Sequence, residues 1–424
     1  MKHLKIPFLL VAVSFFLQGC FKDNCQRELT YTKFDPIFMT IDEIRVPIQQ
    51  LSAQELKEPG KIHFFNDFIL INEQREGIHI INNADPSNPT PVSFLKIPGN
   101  FDMTIRDNKM YVDNAMDMLV LDVSNMNSIS EVSRTENAFS NQFVEGKGVI
   151  IGYTSSEVTE VFECQEGAVV GWNDFSQPME MNDGSFGTMA STDMANISGR
   201  IPGTSVGGST TRFTSVGNYL YTVDFEELRV FDVSNTNNPA LVTTENVGFG
   251  IETIFPYKDH LFMGSVNGVY IYDITSPASP QFADMFVHAT GCDPVIVNDD
   301  IAYVTIHSGT DCNGFVNQLD VIDVENIGNG QTRMIQSFAM ENPKGLAIAN
   351  DHLYLCDNGL KIFDLTDDPT EIGAPISVDR SSNPFDVIAL SGGLVVVVSP
   401  TGMTQYDAAD PKNIVELSTI SVNP

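Results

Sequence analysis

The chain has 424 residues, with 55 acidic against 23 basic side chains, a formal net charge of −32 and a single tryptophan. A balance of this sign repels phosphate backbones and anionic headgroups, which excludes nucleic acid as a partner and a basic membrane-binding face.

In chain order, residues 1–19 carry a basic start (Lys2, Lys5) and an apolar run over residues 6–17, too short for a spanning helix and flanked as a secretory signal is. The run ends in Leu17-Gln18-Gly19-Cys20, which resembles the lipobox of bacterial lipoproteins. That resemblance implies that Cys20 opens the mature chain and carries the lipid, which would anchor the protein to a membrane without a transmembrane segment. Phe21 stands where Asp holds such proteins at the inner membrane, so the expected address is the outer membrane, facing the periplasm or the cell surface. Five cysteines remain after Cys20, an odd number, in a compartment where disulfides persist. Cys25 and Cys164 have no partner legible in the sequence, and Cys356, inside the apolar Leu353-Tyr354-Leu355 run, reads as a buried small hydrophobe.

Residues 20–59 read as a lipidated tether followed by a segment too apolar to hang free (Phe34, Ile37, Phe38), expected to lie on the body of the protein. From residue 60 to 424 one unit recurs, best seen in Leu228-Arg229-Val230-Phe231-Asp232-Val233-Ser234-Asn235. An alternating apolar run closed by Asp and Ser-Asn is a strand stopped by a turn, because Asp and Asn bond the backbone two residues on. The Asp recurs at Asp122, Asp232, Asp273, Asp323, Asp364 and Asp407, with Asn82 and Glu163 as degenerate copies, mostly 40–50 residues apart. One long gap holds a Gly-, Ser- and Asn-rich stretch at about 171–209, read as a loop inserted in a repeat. Residues 345–378 show four strand-like runs separated by Asn-Asp, Asp-Asn-Gly and Asp-Asp-Pro turns. Four antiparallel strands every ~40 residues mark a β-propeller blade, so the predicted fold is all-β, a propeller of eight blades. Seven is the alternative, because Glu163 and Asn82 depart from the repeated Asp.

The Leu-x-Val-x-Asp-Val-Ser-Asn pattern resembles the LVIVD repeat of bacterial surface and secreted propellers, which implies a fold and an envelope address and says little of activity. The recurring Asp is expected to cap the turn after each third strand rather than to bind metal, since no Asp-x-Asp-x-Asp-Gly calcium loop is present.

A propeller's first strands line its axis. The residues at their starts, Lys61, Asp102, Asn141, Arg212, Glu252, Asp293, Lys344 or Gly345, and Asp386, should therefore surround one mouth of the channel. Two readings compete: a solvated rim, and a ligand site in which Asp102, Arg212, Glu252, Asp293 and Asp386 receive a cation such as calcium or another polar ligand. No cofactor is predicted. Cys292 and Cys312 lie in loops that open at the same mouth, and a disulfide between them is expected.

Repeated Ser-x-Asp-x-Gly-x-Thr-Trp boxes and repeated Trp docking motifs, which sialidase-like and quinone-dependent propellers need, are impossible with one Trp. Gly-x-Ser-x-Gly, His-Glu-x-x-His and phosphate-loop motifs are also absent. The sequence therefore points to a lipid-anchored, non-catalytic binding or scaffolding module for a glycan, a peptide or an envelope protein. The alternative is a hydrolase or lyase of extracellular polymers working through carboxylates at the channel mouth.

Overall fold

The computed structural model describes residues 26–140, 142–163, 206–208, 211–288, 294–308, 316–328 and 332–423. The signal segment, Cys20, Cys25, Cys164, Cys292, Cys312, Asn141, Asp293 and nearly all of the 171–209 insertion lie outside the described residues. Within them there are eight sheets, as many as the repeat units in the sequence, but the sheets are not alike.

Seven hold four consecutive antiparallel strands. Blade 1 runs from Pro59–Phe65 to Thr90–Lys96, blade 2 from Met103–Arg106 to Ser130–Thr135, blade 3 from Phe213–Val216 to Ala240–Asn246 and blade 4 from Phe255–Tyr257 to Gln281–Val287. Blade 5 runs from Val295–Asn298 to Arg333–Ala339, blade 6 from Pro343–Ala349 to Ser377–Asp379 and blade 7 from Asp386–Ala389 to Val415–Ser421. The eighth sheet, at the degenerate Glu163 unit, has three strands: Gln26–Met39, Gly148–Glu163 and Phe143–Val144. It is not a member of the ring. The first strand of blade 2 lies directly against that of blade 3, the succession continues to blade 7, and blade 7 returns to blade 1. The ring closes with seven blades, the alternative count. The reason is chemical: residues 153–161 carry Thr, Ser and Glu and are largely exposed, whereas a blade strand must be apolar on both faces.

Residues 26–36 and 153–163 form a compact unit of their own. In it Thr30 and Thr159 share a hydroxyl hydrogen bond of 2.9 Å, and the Tyr31 hydroxyl donates to Glu160 at 3.1 Å.

In the ring the second and third strands are almost wholly buried, as in blade 2, where Leu119, Val120 and Leu121 are all inaccessible. Burial of each such side chain is worth roughly 1.5–3 kcal/mol. The fourth strands are the least buried, and those of blades 3 and 5 are exposed along most of their length; outside blade 1 they form the outer edges. In blades 1–5 and 7 the third-to-fourth pairing slips by one residue at the same point, a repeated bulge.

The repeated acid caps the turn in every blade. Oδ1 of Asn82, Asp122, Asp232, Asp273, Asp323, Asp364 and Asp407 each accepts the backbone amide two residues on, at 2.7–3.1 Å. Neighbouring blades are joined by a second repeated device. Tyr111, Tyr221 and Tyr303, on second strands, donate to the carbonyls of Thr236, Pro277 and Pro369 in the turn of the following blade. Blade 7 meets blade 1 through a reciprocal amide pair, Asn83 Nδ2 to Gln405 Oε1 at 2.8 Å and Gln405 Nε2 to Asn83 Oδ1 at 2.7 Å.

Blade 1 is extended on both sides. Gln49–Ser52, from the N-terminal segment, pairs with its fourth strand, and Val206–Gly207, from the end of the insertion, pairs with its first. The N-terminal segment is also pinned by a one-turn helix, Ile41–Ile44, with a Thr40/Glu43 capping box, and by Arg45, which grips the buried Asp117 through Nε at 2.8 Å and Nη2 at 3.0 Å.

Candidate ligand site at the inner strands

Two of the first-strand acids are buried, whereas Lys61, Arg212, Glu252 and Lys344 are half-buried. Asp102 is 1% and Asp386 0% exposed. Asp102 sits just before the first strand of blade 2, where its Oδ1 accepts the Met103 amide at 2.7 Å. Its Oδ2 receives Lys61 Nζ from blade 1 at 3.0 Å and the Arg212 amide from the start of blade 3. His63 Nε2, one turn of the pleat beyond Lys61, stands 3.5 Å from the other oxygen. Burial alone would raise the Asp102 carboxyl. The Lys61 charge, His63 and the Arg212 amide outweigh it and hold Asp102 below the usual carboxylate range.

The chain of contacts continues round the ring. Arg212 Nε reaches the Glu252 carbonyl at 3.4 Å, so the inner-strand positions of blades 1 to 4 are linked in order, Lys61 to Asp102 to Arg212 to Glu252. In blade 6 the Lys344 carbonyl accepts Thr305 Oγ1 from blade 5 at 2.7 Å, and the Gly345 amide donates to Phe385 of blade 7. Asp386 opens the first strand of blade 7, its Oδ1 accepting the Val387 amide at 2.7 Å. Burial, with help from Asp102, lifts its carboxyl well above the ordinary value against the pull of the Val387 amide and Lys61.

Two members of the cluster were not singled out in the sequence. His63 is fully buried beside Asp102. Asp113, on the second strand of blade 2, accepts Asn100 Nδ2 at 2.7 Å and the Phe101 and Asp102 amides at 2.8 and 2.9 Å, which shapes the turn that presents Asp102. Burial nevertheless raises Asp113 to about 7. Glu73 and Asp357 do the same service at the ends of their second strands, taking the amides of residues 57–58 and 341–342. An acid at the end of a second strand is therefore a second repeat signal, present in three blades.

The insertion ends inside this cluster. Val206–Gly207 pairs with Phe64 and His63 on the axial side of blade 1's first strand, and the Gly208 amide donates to the Ile62 carbonyl at 2.8 Å. Thr211, buried at the same place, has an Oγ1 with no hydrogen-bond partner among the described residues. Among the described residues no three His, Cys, Asp or Glu side chains group as a metal site, and no helix is long and apolar enough to cross a membrane. Cys356 is a buried free thiol.

Seven four-stranded blades around inner strands of this kind define a β-propeller. Residues 207–246, which span blade 3, match the family model of the LVIVD repeat, so this β-propeller carries at least one repeat of that kind. Among solved structures it is similar to the Pseudomonas aeruginosa periplasmic gluconolactonase PpgL, at 12% identity over 86% of this chain and 96% of that one, with a TM-score of 0.51. Kluyveromyces lactis Hsv2 matches at 11% identity over 86% of this chain and 100% of that one, with a TM-score of 0.47. Moraxella catarrhalis BamB matches at 9% identity over 89% and 97%, with a TM-score of 0.46. No curated protein sequence matches the chain.

Proposed function

We propose that the chain is a non-catalytic binding module of the bacterial envelope, anchored through a lipid on Cys20, whose ligand meets the inner-strand cluster of Lys61, Asp102, Arg212, Glu252 and Asp386. The observation that carries this reading is the strand laid across the cluster. A polymer hydrolase needs an open cleft with two water-accessible carboxylates. Here Asp102 is buried under Lys61 and the Arg212 amide, and Asp386 is buried behind Gly208. The buried Thr211 hydroxyl, with no hydrogen-bond partner among the described residues, is costly to keep and would be satisfied by a bound polar group. Asp293 and the expected Cys292–Cys312 disulfide belong to this reading and lie outside the described residues. The fitting ligands are a glycan or an extended peptide, both rich in hydroxyl or amide groups that such a cluster can pair.

The alternative of a hydrolase or lyase keeps one point in its favour, the juxtaposition of Asp102, His63 and Lys61. The two part on a single experiment: glycan and peptide arrays probed with the full chain in detergent, beside a variant with Asp102→Asn and Asp386→Asn. Binding without release of products, weakened in the variant, supports the module. Release of shortened products by the wild type alone overturns it.

A further inference from the structure

The strand Val206–Gly207 lies outside the four consecutive strands of every blade, and its fit is demanding. A Cβ placed on Gly207 would stand 2.6 Å from Thr211 Oγ1 and 2.9 Å from His63 Cε1, and one on Gly208 would overlap the Asp386 carboxyl. Only backbone fits there. Yet the pairing is short, two residues in register plus the Gly208 amide. Ordering a residue costs about as much as one hydrogen bond returns. The seated strand is thus close to balance, and one unfavourable charge beneath it is enough to lift it.

Asp386 is placed to supply that charge. Its side chain is fully buried, with Gly208 packed on it. The titratable groups on the elements around it are Lys61 and His63 of blade 1, Asp102 of blade 2, and Lys344 and Cys356 of blade 6, with Arg212 behind Asp102. Residues 206–208 carry none. Lys61, the cation that acts on Asp386, is already engaged with Asp102 at 3.0 Å, so it cannot fully compensate a second buried carboxylate. The Val387 and Ile62 amides also favour the ionised form, but burial outweighs them, and Gly208 packed on the carboxyl keeps water from that side.

We propose that residues 206–208 are a releasable plug over the axial site, and that ionisation of Asp386 expels them and opens Lys61, His63, Asp102 and Thr211 to the ligand. This deepens the reading of the cluster as a binding site and rests on it, but release of the plug is measurable with no ligand present. The direction follows from burial, which raises the Asp386 carboxyl in the seated state. Seating is therefore favoured at low pH and lost as pH rises through the seated-state value.

The test is amide exchange on the full chain between about pH 5 and pH 9, corrected for the intrinsic rate and read on peptides covering residues 206–208 and 62–64. The wild type should lose protection there at least tenfold with rising pH. Asp386→Asn should stay protected throughout. Gly208→Ala should be unprotected at every pH while residues 69–71 of the next strand remain protected, which shows the blade intact. Constant protection in the wild type, the same decline in Asp386→Asn, or a protected Gly208→Ala overturns the proposal. A plug that behaves as stated while the arrays stay blank would leave the device standing and remove the binding reading.

Discussion

At the scale of single residues, the inner cluster is built on charges that cannot be removed one at a time. Lys61→Met strips the cation from a carboxylate that is 1% exposed, and loss of one partner of a buried pair costs about 3–5 kcal/mol. The expected result is a fall of that size in urea stability at neutral pH, with the double variant Lys61→Met, Asp102→Leu recovering much of it. Asp113 makes a second prediction. Its folded-state value of about 7 lies above that of an unfolded aspartate, so its contribution is present at low pH and lost as pH rises from about 4 to about 7. Between pH 5 and pH 8 the wild type should lose more stability than Asp113→Asn, the difference being about 3 kcal/mol at most. Equal losses would show that the Asn100 and amide donors keep Asp113 ionised. Asp102 and Asp386 were legible in the sequence because a charged residue at a strand start needs only the repeat to locate it. His63 and Asp113 were not, since each matters through a neighbour on another strand that periodicity does not identify.

At the scale of elements, two repeated bonds do most of the joining. The Asp and Asn turns were readable from the motif itself, because the side chain bonds the backbone two residues away, a purely local event. The tyrosine latches were not, because Tyr221 and the Pro277 carbonyl lie 56 residues apart. Tyr221→Phe should cost about 1 kcal/mol in a urea titration, and Tyr303→Phe about the same, as loss of one hydrogen bond predicts. No change in either would mean that the rings alone hold these blades. The Glu163 unit shows the reverse case: its spacing fitted the repeat, yet its Thr, Ser and Glu residues leave no second apolar face, so it forms a three-stranded sheet and not a blade.

For the molecule as a whole, the ring is shut by side chains, since blades 1 and 7 are each complete from consecutive strands. Gln405→Ala leaves Asn83 buried without its partner, at about 1–3 kcal/mol, and should broaden the unfolding transition as well as lower its midpoint. The repeat and its spacing were enough for the architecture, whereas ring membership depended on which first strands touch, a property of distant pairs. At this scale the address is tested by Cys20→Ser, which should release the chain from the membrane fraction into the soluble one. The account as a whole turns on an inner-strand site covered by the chain's own residues 206–208. The most direct measurement is array binding by the wild type and Gly208→Ala side by side at one pH. Where the competent state is only partly populated, apparent affinity falls by that fraction. The prediction is therefore the same ligands bound several-fold more tightly by Gly208→Ala, with no products released. Equal affinities, no binding by either protein, or turnover of the ligand would contradict it.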